Sequence, residues 1–108
     1  MKLLYAPAAL ADLQNIKASV IENFDDPVLA EDVLRTITKR ARNLELFPYM
    51  GEEVRLPVSG STGYRYLFIK KNYVFYRIEK EHVLIVRILN EKQDYLRILF
   101  GITEVEDD

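Results

Sequence analysis

Cysteine is absent from the 108 residues of the sequence, so a disulfide framework, a thiolate metal site and a cysteine nucleophile are all excluded. Nothing in the composition therefore indicates an oxidising compartment. Long apolar runs are also absent, since no stretch approaches the roughly 20 apolar residues of a membrane-spanning helix. Pro7 interrupts the short apolar run at the N-terminus before the apolar region of a signal peptide could form. We expect a soluble, uncleaved protein of the cytoplasm that does not bind membranes.

Histidine occurs only once, as His82, in a predicted turn between two strands. A histidine in such a turn is more typical of a solvated surface residue than of a proton-transferring catalyst. No cluster of histidine and carboxylate residues has the spacing of metal ligands. We therefore predict neither a metal site nor any other cofactor.

The net charge of -2 is small, but the charges are distributed unevenly. Residues 1–34 contain two basic and six acidic side chains, and residues 104–108 contain four acidic ones. The segment between them, residues 35–103, contains thirteen basic and seven acidic side chains. A basic segment suits an anionic partner, because binding responds to the local field rather than to the total charge. The same charges are equally compatible with solvated surfaces of helices and strands.

The length and the hydrophobic content of 49% allow one modest core but not two domains of ordinary size. We therefore predict a single domain over residues 1–103. Four of the five remaining residues, 104–108, are acidic, and we expect this tail to be disordered.

The first half of the chain has the pattern of a strand followed by two helices. Residues 2–5 form a short apolar run, and Pro7 suits the first turn of the helix that follows. Apolar residues then recur at helical spacing over residues 8–24 and again over residues 27–47. Because so few residues separate the two helices, they should form an antiparallel hairpin.

The second half of the chain changes to the pattern of strands. Residues 49–62 are rich in glycine, proline and serine and predict an irregular loop. Three runs rich in aromatic and β-branched residues then predict antiparallel strands joined by short connections, at residues 64–69, 73–78 and 83–89.

A short helix is predicted over residues 91–100, with Asn90 as its N-cap and Gly101 as its end. The expected fold class is therefore α+β. An antiparallel four-stranded sheet should pack against the N-terminal helical hairpin, with a short C-terminal helix, in the order β-α-α-β-β-β-α.

Five short motifs, in this order and at this spacing, resemble the RelE/ParE superfamily of toxins from type II toxin–antitoxin systems, and the likeness covers nearly the whole chain. They are Leu10-Ala11-Asp12-Leu13, Phe47-Pro48-Tyr49-Met50-Gly51, Gly63-Tyr64-Arg65, Tyr73-Val74-Phe75-Tyr76-Arg77 and Ile85-Val86-Arg87-Ile88-Leu89. The resemblance implies a bacterial toxin that inhibits growth. It also implies a role in plasmid stabilisation.

The resemblance implies one of two mechanisms, which the fold does not separate. RelE-like members enter the ribosomal A site and cleave mRNA without a metal, using basic, histidine, carboxylate or tyrosine side chains. ParE-like members inhibit DNA gyrase without known hydrolytic chemistry. A third class, a non-toxic module that only binds an antitoxin, also fits the scaffold.

Two positions favour the ParE-like branch over the mRNA interferase. RelE-like nucleases commonly have an arginine where this chain has Val74, which cannot contact phosphate. Many superfamily members have a histidine where this chain has Asn90, and an amide cannot transfer protons near neutral pH.

Candidate site residues follow from the same resemblance. If the chain is a nuclease, the catalytic candidates are Arg65, Tyr76, Lys92 and Tyr95. The candidates for binding the target or a partner are Arg65, Arg77, Arg87 and Lys92. The three arginines equally fit strand-stabilising ion pairs, and Tyr95 fits packing better than it fits catalysis. A three-residue turn at 70–72 would place Arg65 opposite Arg77, whereas a two-residue turn would separate them.

The resemblance also implies the partners. A cognate antitoxin should neutralise the toxin by folding a disordered segment along it, giving a toxin–antitoxin hetero-oligomer. The basic segment would suit an acidic antitoxin. The target should be DNA gyrase or, in the alternative, the ribosome and its mRNA.

Overall fold

The computed structural model describes residues 1–57 and 60–102. Its helices are α1 (Pro7–Phe24), α2 (Pro27–Ala41) and α3 (Tyr95–Phe100), with a 3-10 turn at Arg42–Glu45; its strands are β1 (Lys2–Tyr5), β2 (Glu52–Leu56), β3 (Gly60–Ile69), β4 (Asn72–Ile78) and β5 (His82–Asn90). The predicted acidic tail, 104–108, lies outside the described residues. No described helix has the length and apolar character needed to cross a membrane.

The helical hairpin is confirmed, and its connection is set by two aspartates. Asp25 ends α1 in the left-handed conformation, with φ of 50°, and its N–H donates to the carbonyl of Ile21. Asp26 begins α2, where its side chain accepts a hydrogen bond of 3.0 Å from the N–H of Leu29. The second helix is shorter than predicted, because the α conformation ends at Ala41 and the chain continues as the 3-10 turn.

The sheet has five strands rather than the predicted four, in the order β1-β5-β4-β3-β2. The additional strand, β2, lies within the predicted loop and pairs antiparallel with β3. The strand β2 is hard to recognise from the sequence, because only Val54 of its five residues is buried. The sheet is also mixed rather than antiparallel, since β1 pairs parallel with β5 at the other edge.

The last helix is shorter than predicted and has a different N-cap. Asn90 is the final residue of β5, and its side chain accepts a hydrogen bond from the N–H of Lys92 at 3.0 Å. The helix begins only after Asp94, whose side chain accepts from the N–H of Arg97 at 3.3 Å. It ends as predicted at Gly101, which adopts a positive φ of 66°.

Side chains pack on both faces of the sheet. The hairpin covers one face, which contributes Val74, Tyr76 and Ile85 to a core that they share with helix residues such as Ile37. On the other face Phe75 is buried in a smaller core against α3. The α+β class is therefore confirmed, with one helical element on each face.

One buried carboxylate connects the hairpin to the sheet. Asp12 of α1 is only 6% exposed and accepts hydrogen bonds from Arg87 Nε at 2.8 Å and Arg87 Nη2 at 2.9 Å. It also accepts from the backbone N–H of Ile88 at 2.8 Å. The hydrogen bond with Asp12 is the main cause that raises the pKa of Arg87.

Replacing this carboxylate should destabilise the protein. We expect Asp12→Asn to lower the free energy of unfolding by about 2–4 kcal/mol, because Arg87 would lose its charged partner in a largely buried site. Urea unfolding followed by circular dichroism measures the change. The matched control is Asp32→Asn on the exposed surface of α2, which should change the stability by less than about 0.5 kcal/mol. Equal effects of the two variants would contradict the assigned role of Asp12.

Candidate functional site

The turn between β3 and β4 decides which arginines share a face of the sheet. Ile69 pairs with Asn72, so the turn has two residues. In this register Arg65 lies opposite Tyr76, whereas Arg77 lies opposite Tyr64. Arg65 and Arg77 therefore project from opposite faces and do not form a shared patch.

Arg65 binds the backbone of the segment before β2. Its Nη1 donates to the carbonyl of Gly51 at 2.7 Å and, at 3.4 Å, to that of Tyr49. Its guanidinium also lies 5.0 Å from the centre of the Tyr49 ring. The guanidinium of Arg65 is thus bound to the backbone of its own chain.

Tyr76 binds the same segment from inside the core. The side chain is fully buried, and its hydroxyl donates to the carbonyl of Pro48 at 2.7 Å while accepting from the N–H of Gly51 at 2.9 Å. Gly51 leaves room for this contact, because a Cβ atom there would lie 2.5 Å from the Tyr76 hydroxyl. Burial raises the pKa of Tyr76, against the smaller opposing effects of the Gly51 hydrogen bond and the charge of Arg65.

The segment held by these two residues exposes several large apolar side chains. Over residues 46–50, which we call the apolar loop, Leu46 is 78% exposed, Phe47 62% and Tyr49 69%. Exposed apolar surface of this kind is typical of protein–protein contacts. The prediction from sequence overlooked this surface, although three large apolar residues close to Pro48 in a loop were the signal for it.

The remaining basic side chains of the predicted set differ in the partners that they contact. Arg87 is bound to Asp12, as described above. Arg77 is more exposed, 3.6 Å from Glu79 and 5.5 Å from the centre of the Tyr64 ring. Lys92 lies on the surface, in the turn before α3.

The open face of the sheet next to α3 is aromatic rather than charged. Tyr95 packs on Phe75 and Tyr73, with ring centres 5.3 and 5.7 Å apart. These contacts fit a packing role for Tyr95, the alternative to catalysis. Tyr66 donates to Glu52 at 2.8 Å, and this hydrogen bond is the main cause that raises the pKa of Tyr66.

Three of the four catalytic candidates are divided between the faces of the sheet. Arg65 and Tyr76 lie on the hairpin side, whereas Tyr95 belongs to the opposite core. The acid, the base and the charge-stabilising group of a nuclease must all lie within hydrogen-bond distance of the same reacting atoms. The arrangement of these residues does not provide such a set.

His82 is the first residue of β5 rather than a turn residue, and its carbonyl accepts from the N–H of Glu79 at 2.8 Å. Within residues 1–57 and 60–102, no group of three or more histidine, cysteine or acidic side chains is placed to hold a metal ion.

Removing the Tyr76 hydroxyl should loosen the apolar loop. We expect Tyr76→Phe to lower the free energy of unfolding by about 1–3 kcal/mol, since the Pro48 carbonyl and the Gly51 N–H would lose their partner. The raised pKa adds a pH dependence: the contribution is complete below the ordinary tyrosine value of 10.0 and is lost as the pH rises through the folded-state pKa. The difference in stability between wild type and variant should therefore shrink above pH 10.

Urea unfolding between pH 7 and pH 11 measures this difference. Tyr73→Phe is the matched control, because the hydroxyl of Tyr73 has no such partner in the described part of the chain. A difference between wild type and Tyr76→Phe that stayed constant through alkaline pH would count against the assigned hydrogen bonds.

The chain is similar to known proteins, both in sequence and in structure. The family model for the ParE toxin of type II toxin-antitoxin system, parDE, matches residues 3–95. No curated protein matches the chain.

Solved structures share the fold at low sequence identity. The chromosomal ParDE TA system from P. aeruginosa is 22% identical, with a TM-score of 0.71, over 83% of this chain and 95% of the other. A YoeB/ParE toxin from Agrobacterium tumefaciens is 16% identical, with a TM-score of 0.54, over 83% and 98%. A conserved hypothetical protein from Helicobacter pylori is 17% identical, with a TM-score of 0.51, over 86% and 97%.

The family match extends over most of the chain and contains all five of the motifs quoted above. The resemblance to the RelE/ParE superfamily is thereby confirmed. The chain belongs to the family of ParE toxins of type II toxin–antitoxin systems.

Proposed function

We propose that this ParE-family toxin inhibits DNA gyrase in the cytoplasm by binding it through the apolar loop, without cleaving RNA. Membership of a toxin–antitoxin family implies a cognate antitoxin as its partner. The observation that carries the proposal is the apolar loop, residues 46–50, in which Arg65 and Tyr76 fix the backbone beside exposed Phe47 and Tyr49.

The character of this loop favours a protein target over an RNA substrate. Large apolar and aromatic side chains in a fixed position are the usual anchors of protein interfaces. A backbone held by hydrogen bonds before binding loses less conformational entropy when the complex forms. An RNA substrate would instead require cations directed at phosphates.

The residues expected of a nuclease also support a target other than RNA. Val74 is fully buried in the hairpin-side core, so this position does not present a side chain to a substrate. Asn90 uses its amide oxygen to order the turn before α3. Arg65 and Tyr76 already have backbone partners in the loop.

The proposed binding residues acquire different roles. Arg65 acts by positioning the apolar loop, and Arg87 acts by holding α1 on the sheet through Asp12. Arg77 and Lys92 are the exposed cations of the proposed set. We propose that these two add electrostatic attraction to an acidic surface of the target.

A supercoiling assay with purified gyrase tests the proposed target. We expect the wild-type protein to block supercoiling of relaxed plasmid DNA and Phe47→Ser to need about tenfold more protein for the same effect, because an interface anchor contributes upwards of ~1.4 kcal/mol. The matched control is Val28→Ser, since Val28 is exposed apolar surface on α2, 78% accessible and outside the loop. It should inhibit as wild type does.

Primer extension on translated mRNA covers the alternative mechanism. We expect no cleavage by the wild-type protein. Codon-phased cuts together with unimpaired supercoiling would establish the ribosome-dependent nuclease instead. If neither activity is found and expression without antitoxin leaves growth unaffected, the chain is a non-toxic antitoxin-binding module.

A further inference from the structure

Strand β2 lies at one edge of the sheet, where β3 is its only neighbour among the described strands. The carbonyl of Val54 accepts a hydrogen bond of 2.8 Å from the hydroxyl of Thr62, so the backbone of Val54 faces β3. Backbone groups of successive residues in a strand point to alternate edges, so those of Glu53 and Arg55 point outwards. Within residues 1–57 and 60–102, no loop backbone forms a hydrogen bond with them. The edge therefore presents two N–H and two C=O groups to a further strand.

This open edge is limited at both ends. Pro57 follows the strand and has no N–H to donate. At the other end, the N–H of Gly51 donates to the Tyr76 hydroxyl and its carbonyl accepts from Arg65. A pairing strand therefore finds free donors and acceptors within residues 52–56.

The side chains along this edge are complementary to a second copy of themselves. Glu53 and Arg55 form an ion pair of 3.3 Å, with 37% and 67% of their side chains exposed. An antiparallel second copy centred on Val54 places each Glu53 opposite an Arg55. Four charges of alternating sign then lie side by side across the two-fold axis. Opposite charges that face each other across paired strands stabilise a sheet.

Neighbouring registers lack this match. Centring the pair on Glu53 or on Arg55 places like charges directly opposite each other, which is destabilising. A shift by one residue places Glu53 opposite Val54, whose backbone already faces β3. The register centred on Val54 satisfies the charges and also adds four backbone hydrogen bonds, because each of its two hydrogen-bonded pairs exchanges two.

We propose that two copies of this chain pair through the outer edges of β2, joining two five-stranded sheets into one continuous sheet. The contact closes on itself, because both copies use the same surface. The paired segment is short, so we expect a reversible dimer with a Kd of about 10–100 µM rather than a permanent one. The inference goes beyond the proposed function and does not depend on the identity of the target.

Charge reversal combined with mixing tests the pairing. Glu53→Arg places arginine opposite Arg55 of the second copy, and Arg55→Glu places glutamate opposite Glu53. Each variant alone should dimerise at least about tenfold more weakly than wild type. An equimolar mixture of the two variants restores both opposite-charge pairs and should dimerise about as strongly as wild type. Sedimentation equilibrium between about 1 µM and 1 mM measures each Kd.

Recovery on mixing cannot result from misfolding of either variant. Both side chains are exposed, so the melting temperature of each variant should lie within about 4 °C of wild type. The matched control is Glu22→Arg on the exposed surface of α1, which changes the net charge as Glu53→Arg does and should dimerise as wild type. A wild-type protein that stays monomeric, an equal loss in Glu22→Arg, or a mixture that does not recover overturns the proposal.

Cross-linking tests the register independently, since the chain has no cysteine of its own. Val54→Cys lies opposite its own copy at a non-hydrogen-bonded position, where the Cα atoms are about 4.5 Å apart and a disulfide can form. Leu56→Cys is the matched control, because its own copy lies four residues further, about 13 Å along the strand. Under mild oxidation, Val54→Cys should give a covalent dimer on a non-reducing gel and Leu56→Cys should not. Equal cross-linking of the two variants, or cross-linking of Leu56→Cys alone, overturns the register centred on Val54.

Discussion

The contact between Asp12 and β5 is the interaction on which the arrangement of the molecule depends. Its carboxylate accepts from both the side chain of Arg87 and the backbone of Ile88, 75 and 76 residues away in sequence. Because β5 lies between β1 and β4, this contact fixes α1 over the inner part of the sheet rather than at its edge. Together with the apolar core between them, it holds the helical hairpin against one face of the sheet.

The basic character of the middle of the chain has a structural explanation as well as a functional one. Arg87 serves the hairpin contact, and Arg65 serves the backbone before β2. Both use charge-assisted hydrogen bonds that hold distant parts of the chain together. Of the cations that remain, Lys70 and Lys71 stand out because their backbone conformation is unfavourable for lysine. A count of charges does not distinguish these uses, whereas the partner of each side chain does.

Local patterns predicted most of the elements, and contacts between distant residues account for what was missed. The apolar stripes of α1 and α2 and the aromatic runs of β3 to β5 depend on neighbours a few residues away, so they are visible in sequence. Strand β2 buries only Val54, and the parallel partner of β1 follows about 80 residues later, so neither has a local pattern. The role of Tyr76 likewise depends on Pro48 and Gly51, which meet it only in the fold.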